Sequence, residues 1–231
     1  MKKLIMILGL ALITSADAGE INQLSKKEKA DGWKLLFNGK NLAGFRAYKP
    51  DGKIGEGWLV KDGLLIKQAN TRGGDIMTVD TYDDFELKWE WNLAQNGNNG
   101  IKYMILEERK ATVGHEYQIL DDFGHPDGKK GRDRQLAALY DVLPTIQNKP
   151  RREPGQWNKS RIVVQGNHAE HWLNGVKVLE YECGSKELLA AVQDSKFRSR
   201  EGFGKKVRGH ILITDHKDEC KFRNLKIRPL D

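Results

Sequence analysis

The sequence reads DFELKWEWNLA over residues 84–94, and this stretch decides the fold class. Apolar residues alternate strictly with polar ones from Phe85 to Leu93. Such a period of two indicates a β-strand with one face in the core and the other in water. We therefore expect strands, rather than helices, to build most of the fold.

Two-residue turn signals continue this pattern along the chain. Asp62-Gly63 and Asn174-Gly175 each separate two short apolar runs, as hairpin turns with positive φ do. Gly166-Asn167 predicts a third hairpin, and only the segment after Ser185, a suitable N-cap, has the spacing of an internal helix. Many short antiparallel strands with one short helix predict an all-β, two-sheet antiparallel sandwich or jelly roll.

The first residues have the composition of a signal peptide. Two lysines precede an apolar run over residues 4–13, and Ala16-Asp17-Ala18 then supplies a small-x-small cleavage pattern. The run is too short for a stable membrane anchor. No Cys follows the cleavage point, so we expect no lipoprotein anchor. We expect a periplasmic or secreted protein with a signal peptide at 1–18, an N-terminal arm at 19–31 and a single jelly-roll domain at 32–231.

Composition excludes several classes of protein. The 231 residues include 39 Lys and Arg against 32 Asp and Glu, for a net charge of +7, and 39% are hydrophobic. These values exclude disordered, collagenous and multi-span membrane proteins. The cations are scattered and no nucleic-acid motif accompanies them, so we expect no nucleic-acid partner. Two Cys exclude a disulfide scaffold, and no phosphate loop, Gly-x-Ser-x-Gly or His-Glu-x-x-His motif is present.

The strongest candidate site is the run from His115 to Asp122. On a strand, Glu116 and Gln118 share one face, and Asp121 follows where the strand ends. Acid–base chemistry on a sugar needs such polar groups on a rigid backbone, with neighbours that shift their pKa values. A solvated sheet face is the alternative interpretation.

A second candidate is Thr214-Asp215-His216, which follows the apolar residues 211–213. An Asp-His pair can act as a general base with its orienting carboxylate, or as two metal ligands. A strand-terminating turn is the alternative. His168 and His171 lie in a predicted hairpin, and we interpret both as surface residues.

Other residues suit a sugar site more weakly. The composition of Asn96–Gly100 indicates a turn, although its amides could also contact a sugar. Several aromatic side chains either pack in the core or stack on pyranose rings: Trp33, Trp58, Trp157, Trp172 and Tyr140.

A series of short motifs runs from Gly32 to Leu230 in a fixed order. They are Gly32–Leu42, Trp58–Gly63, Tyr82–Leu87, Asn98–Ile101, Glu116–Asp121, Ala138–Tyr140, Pro154–Asn158, Trp172–Gly175 and Phe222–Ile227. Together they resemble the 3-keto-disaccharide hydrolase domain family. The resemblance implies a jelly roll of the concanavalin A-like lectin/glucanase type.

The resemblance also implies a carbohydrate substrate, an oxidised glycoside with a ketone at sugar C3. Such a ketone acidifies the hydrogen on C2, so a base can remove it and the C1 aglycone can leave. Water then adds to the enone, which gives net hydrolysis. This chemistry needs a base near C2, an electrophile or metal for the enolate oxygen, and an acid for the departing oxygen.

The family motifs assign roles to particular residues. Glu116, Gln118 and Asp121 match its Glu-x-Gln-x-x-Asp motif, and Asp215-His216 match its Asp-His pair. We expect Glu116, His216 and Asp215 to be catalytic, with His216 or Glu116 transferring the proton. The residues expected to bind the sugar are Gln118, Asn99, Tyr140 and Asp121.

No cofactor is certain from the sequence. The oxygen and imidazole donors of Glu116, Asp121, Asp215 and His216 would suit a divalent ion such as Mn, Ca or Zn. One departure concerns the second motif: where family members read Leu-Gln-Asp-His-Gly, this chain has Thr214 and Lys217 around the Asp-His pair.

Three functions are compatible with these residues. The first is a hydrolase or lyase of 3-keto-glycosides, and the second is a retaining glycosidase whose carboxylates, at Glu116 and Asp121, stand about 5 Å apart. The third is a non-catalytic carbohydrate-binding module, which uses the same sheet and aromatic residues without proton transfer.

Overall fold

The protein is a sandwich of two antiparallel β-sheets, seen in a computed structural model that describes residues 21–49, 52–109 and 111–230. The predicted signal peptide lies outside these residues. The strands are β1 Lys34–Leu35, β2 Phe45–Ala47, β3 Trp58–Lys61, β4 Leu64–Lys67, β5 Ile76–Thr78, β6 Phe85–Leu93, β7 Asn98–Ile105, β8 His115–Leu120, β9 Asn158–Gln165, β10 His168–Leu173, β11 Val176–Glu182, β12 His210–Ile213 and β13 Cys220–Pro229.

The larger sheet has the order β11-β10-β9-β6-β13-β4-β3, with β1 also paired to β13. The smaller sheet has the order β2-β5-β12-β7-β8. The predicted all-β, two-sheet fold is thus confirmed, and the three predicted hairpins join β3 to β4, β9 to β10 and β10 to β11. Asp62 and Asn174 have φ of 51° and 47°, as their turns require.

The core lies between the two sheets. The apolar positions of β6 all face inward, as the alternation predicted, and the ring of Trp89 meets that of Tyr117 from the other sheet at 4.9 Å. Trp33 and Trp58 are also buried, so neither offers a free ring face to a sugar. Cys183 and Cys220 are buried free thiols.

Two short α-helices of the described residues flank the sheets. Helix α1, Lys26–Ala30, begins with a capping box at Ser25, and the segment before it is tied to β13 by reciprocal hydrogen bonds between Asn22 and Asn224 of 2.7 and 2.8 Å. Helix α2, Lys186–Gln193, begins at its predicted N-cap, Ser185. Single-turn 3₁₀ segments cover Glu107–Arg109 and Arg132–Arg134. Along the part of the chain described, no helix is both long and apolar enough to cross a membrane.

Two local predictions need correction. Asn98 to Gly100 belong to β7, so the predicted turn is confined to the residues before it. His171 is fully buried, because it shares the inward face of β10 with Ala169 and Leu173. The surface position predicted for His168 agrees with the structure, where it is partly exposed because it begins that strand on the outer face.

Candidate active site

The strongest candidate site lies on the face of the smaller sheet that is turned away from the core. There β8 places Glu116 opposite Lys102 and Gln118 opposite Gly100 of β7. Directly opposed residues of an antiparallel pair share one face of the sheet. Tyr117 points to the core, so the sequence assigned these faces correctly.

The carboxylate of Glu116 lies over the backbone of β7 because Gly100 has no side chain. A Cβ atom at Gly100 would fall far inside the contact distance of Glu116 Oε1. Glu116 is 5% exposed, and its ion pair with Lys102 Nζ is long, at 3.8 Å from Oε2. No described residue donates a hydrogen bond to this carboxylate, so it can accept one from a ligand.

Gln118 offers a second unused acceptor. Its Oε1 is buried and has no hydrogen-bond partner among the described residues. Leaving such an atom unpaired costs about 1–3 kcal/mol, which a sugar hydroxyl could recover. The backbone of β8 is held from its free edge, where Ala137 N donates to Gln118 O at 2.7 Å and Tyr140 N donates to Glu116 O at 3.1 Å.

His216 lies beside these groups, just after β12. Burial lowers the pKa of its imidazole, the Glu116 carboxylate raises it in part, and Lys102 lowers it further. The net shift is downward, so the ring is neutral at neutral pH. It has no hydrogen bond to any described residue. A neutral, unoccupied imidazole beside a carboxylate can act as a general base.

Asp215 is engaged elsewhere. Its Oδ1 is 2.9 Å from Nζ of the fully buried Lys67, and its Oδ2 accepts from the amides of Gly73 and Gly74 at 2.9 and 2.6 Å. Burial opposes its ionisation, but Lys67 and the two amides together lower its pKa. The carboxylate therefore fastens the loop before β5 and does not orient His216.

Asp121 and Asn99 are likewise occupied by backbone groups. Asp121 accepts from the amides of Asn96 and Gly124 at 2.9 and 3.0 Å. Asn99 is fully buried, donates to Thr214 O at 3.0 Å and accepts from the next amide at 2.8 Å. Asp121 thus stabilises the turns on either side of β7 and β8, and Asn99 links β7 to the segment after β12, so both side chains are occupied within the protein.

The predicted carboxylate pair and the predicted metal-ligand set are not brought together. Glu116 and Asp121 are five positions apart along an extended chain that rises about 3.3 Å per residue, far beyond the spacing of a retaining pair. The four predicted ligands do not converge on one ion either, because no three of them have ligand atoms within 4.8 Å of one another.

Another group of described residues does have potential metal-ligand atoms within 4.8 Å of one another. It lies on the β10–β11 hairpin and consists of His168, Glu170 and Glu180. Lys177 Nζ already neutralises it, at 3.2 Å from Glu170 and 2.6 Å from Glu180.

Tyr140 borders the site through its ring rather than its hydroxyl. The hydroxyl donates to Asp127 Oδ2 at 2.6 Å and accepts from Arg134 at 3.2 Å. Burial and Asp127 raise the pKa of this phenol well above its usual range. The ammonium of Lys196 stands 4.0 Å from the ring centroid and interacts electrostatically with Glu116.

Lys196 and Lys102 are site residues that the sequence analysis missed. Burial lowers the pKa of Lys196, and Glu116 opposes that shift. No described carboxylate forms an ion pair with its ammonium. Lys102 could have been found from its place on the alternating face of β7. Lys196 follows α2 in a loop, where no motif marks it.

Comparison with known proteins decides the family. The model of the 3-keto-alpha-glucoside-1,2-lyase-like domain matches residues 32–228. The chain belongs to this family. The resemblance found in the sequence is thereby confirmed.

Relatives of this lyase-like domain support the assignment. A 3-keto-disaccharide hydrolase from Bacteroides thetaiotaomicron is 32% identical over 248 aligned residues, which cover 94% of this chain and 85% of the relative. A crystal structure from Parabacteroides distasonis, described as a glycosyl hydrolase, has a TM-score of 0.82 at 31% identity and covers 92% of this chain and 100% of its own. The lyase-like domain is therefore a carbohydrate-active enzyme.

The β-glucanase of Bacillus licheniformis shares the fold alone. Its TM-score is 0.52 at 10% identity, over 86% of this chain and 97% of its own. The jelly-roll architecture of the lyase-like domain is thus also that of a glucanase.

Behind the site, the lyase-like domain contains a directed chain of buried hydrogen bonds. Ala137 O can only accept, so His171 Nδ1 donates to it at 2.7 Å. His171 Nε2 then accepts from Tyr103 at 2.7 Å, Tyr103 accepts from Tyr181, and Tyr181 accepts from His115 Nδ1 at 2.8 Å. This series of hydrogen bonds links both sheets to Ala137, which lies in the segment bonded to the edge of β8.

Proposed function

We propose that the protein cleaves 3-keto-glycosides by removing the proton from C2 of the sugar. The observation that carries this proposal is the buried imidazole of His216 beside the carboxylate of Glu116, which accepts no hydrogen bond from any described residue and has only a long ion pair with Lys102. The name of the Bacteroides relative, a 3-keto-disaccharide hydrolase, supports the same substrate class.

The proposed reaction is an elimination followed by addition of water. The base takes the proton from C2, and the C2–H electron pair delocalises onto the ketone oxygen as an enolate. Collapse of the enolate forms the C1=C2 double bond and expels the aglycone oxygen from C1, which takes up a proton. Water then adds at C1 of the enone, so the net change is hydrolysis.

We assign groups of the site to the proton transfers, to the enolate charge and to a sugar hydroxyl. His216 accepts the C2 proton, and the Glu116 carboxylate stabilises the imidazolium that forms. The ammonium groups of Lys196 and Lys102 would stabilise the enolate oxygen, and Gln118 Oε1 would accept from a sugar hydroxyl. The imidazolium can return its proton to the departing oxygen.

We propose that this mechanism uses no divalent ion. The Asp121 carboxylate binds backbone amides, and the Asp215 carboxylate binds backbone amides and Lys67. The predicted ligand set therefore does not fit one ion. We expect turnover to be unchanged after dialysis against a chelator, which a measurement with and without EDTA checks. Loss of activity that added metal restores would contradict this.

The decisive experiment is incubation with a 3-keto-glucoside in deuterated water. We expect aglycone release together with deuterium at C2. Glu116→Gln and His216→Ala should each lower kcat/KM at least 100-fold, whereas His168→Ala, which removes an exposed histidine of the other sheet, should leave it unchanged. Release without C2 exchange would indicate direct displacement at C1, and saturable binding of ordinary glycans without turnover would indicate a binding module.

We also propose that the protein is exported. The support is the sequence alone: the lysines, the apolar run and the small-x-small site before Gly19. Mass spectrometry of protein recovered from the periplasm or medium should give a chain that begins at Gly19. A chain that retains residues 1–18 would contradict export by cleavage.

A further inference from the structure

The larger sheet carries a cavity on its outer face, on the opposite side of the sandwich from the candidate active site. It has a volume of about 450 Å³, which is the size of a small-ligand site. Side chains of β6, β9, β10, β13 and α1 form its walls. Its lining contains more cationic side chains than carboxylates. The cations are Lys88, Lys159, Arg161 and Lys226, and the carboxylates are Glu28 and Glu90.

The first carboxylate is already saturated. Both oxygens of Glu28 accept from Lys226 Nζ, at 3.0 and 2.9 Å. Lys88 Nζ is 3.6 Å from the same carboxylate, beyond hydrogen-bond distance, and lies over the ring of Trp33 at 3.7 Å. The ammonium of Lys88 therefore has hydrogen-bond donors that no described carboxylate takes up.

The second carboxylate repeats this arrangement. Glu90 Oε2 accepts from Arg223 Nε at 2.7 Å, while Lys159 Nζ stays 3.7 Å from Oε1. The side chain of Lys159 is 72% exposed. Its ammonium therefore also has free hydrogen-bond donors, so two lysines of this cavity lack a hydrogen-bonded carboxylate among the described residues.

The register of β6 and β9 brings these two lysines together. Lys88 pairs with Arg161, and Glu90 pairs with Lys159, so the lysines are diagonal neighbours on one face. Diagonal positions are about 7–8 Å apart, within the span of two long side chains that grip one anion.

An aromatic wall completes the cavity. Trp172 is half-buried, and its ring is held by the Arg161 guanidinium at 3.9 Å and by a hydrogen bond of 2.7 Å from Nε1 to Glu170. The guanidinium covers one face of this fixed indole, and the remaining apolar surface of the ring suits the CH face of a pyranose.

We propose that this cavity is a second saccharide-binding site, which takes an acidic sugar. The carboxylate or sulfate of the sugar would lie between Lys88 and Lys159, with the pyranose against Trp172. The site is separate from the reaction centre and would hold an acidic chain to the enzyme without reacting with it.

The test is calorimetric titration of the Glu116→Gln protein with a uronate-containing disaccharide, a sulfated disaccharide, a neutral disaccharide and inorganic sulfate. We expect an acidic disaccharide to bind at least tenfold more tightly than the neutral one and than inorganic sulfate. The uronate and sulfated sugars show which acid is preferred. Lys88→Gln/Lys159→Gln and Trp172→Ala should each weaken binding at least tenfold.

The matched control is Lys34→Gln/Lys61→Gln, which removes the same charge from exposed positions of the same sheet outside the cavity. Its affinity should equal that of the parent. Equal binding of neutral and acidic sugars, equal weakening by the control, or inorganic sulfate as tight as the sugars would each overturn the proposal. In the Glu116-containing protein, the Lys88→Gln/Lys159→Gln pair should keep its turnover, which separates this site from the reaction.

Discussion

At Gly100 the missing side chain decides where the Glu116 carboxylate lies. Gly100→Ala should displace that carboxylate and lower kcat at least tenfold, while the free energy of unfolding falls by about 1–3 kcal/mol. Steady-state kinetics and urea denaturation measure the two effects. Gly131→Ala, which meets the Asp133 carboxylate in an outer loop, should leave kcat unchanged. Full activity of Gly100→Ala would show that the carboxylate position is not critical.

Asp215 should matter for stability rather than chemistry. Asp215→Asn leaves the fully buried Lys67 without its counter-charge, so the free energy of unfolding should fall by about 3–5 kcal/mol. Adding Lys67→Met should recover part of that loss. Chemical denaturation of the single and double variants measures both. An Asp215→Asn protein of unchanged stability that has lost turnover would instead identify a catalytic carboxylate.

At the residue scale, the sequence predicted which face of a strand a side chain occupies better than it predicted the hydrogen bonds of that side chain. Alternation was enough to put Glu116 and Gln118 on one side of β8. It could not show that Asp121 and Asp215 would be occupied by backbone amides, because those contacts depend on how a turn folds back. Lys196 was missed for a related reason: its proximity to Glu116 exists only after α2 and its loop pack beside β8.

At the scale of elements, the buried histidines of β8 and β10 make stability depend on pH. Burial lowers the pKa of His115 to about 3 and that of His171 to about 4, from an ordinary value of 6.5. Below pH 6.5 the unfolded chain binds protons that the folded protein does not, so the free energy of unfolding falls as the pH drops.

We expect that decline between pH 6.5 and 4.5, at up to about 1.4 kcal/mol per pH unit for each histidine. Urea denaturation across this range measures it. His171→Gln should flatten the slope, and His168→Gln should not, because the Glu182 hydrogen bond raises the pKa of that exposed histidine. A profile that is flat in the parent protein would contradict the neutral state of the buried pair.

Hairpins were the most predictable elements. Their Asp-Gly, Asn-Gly and Gly-Asn turns specify the backbone locally, and all three formed where expected. The error at His171 arose within one of these hairpins. A histidine between Glu170 and Trp172 has the composition of a surface, but its partners Tyr103 and Ala137 come from distant parts of the chain.

At the scale of the whole molecule, the segment before the domain is part of the fold. Deletion of residues 19–31 removes the Asn22–Asn224 hydrogen bonds and the Glu28–Lys226 ion pair. We expect the free energy of unfolding to fall by about 2–4 kcal/mol, with kcat/KM unchanged, because Asn22 and Glu28 contact the larger sheet. Thermal unfolding and kinetics of the shortened protein test this, and unchanged stability would make residues 19–31 a dispensable arm.

The two-sheet architecture followed from strand periodicity, but the strand order did not. The C-terminal β13 lies between β6 and β4, near the middle of the larger sheet, and nothing local in its sequence predicts that neighbour relation. Such pairings are set by which faces bury together across long separations. The family resemblance supplied the jelly-roll type, since its motifs span almost the whole fold, but it did not supply the strand order.

The buried thiols of Cys183 and Cys220 are natural chemical probes of how often this structure opens. Burial raises the pKa of Cys183 to about 11 and that of Cys220 well above its usual range, and thiolates are the reactive form. An alkylating reagent can modify either residue only after the sandwich opens. The rate of alkylation therefore measures how often the structure around each cysteine opens, without any label having to be engineered.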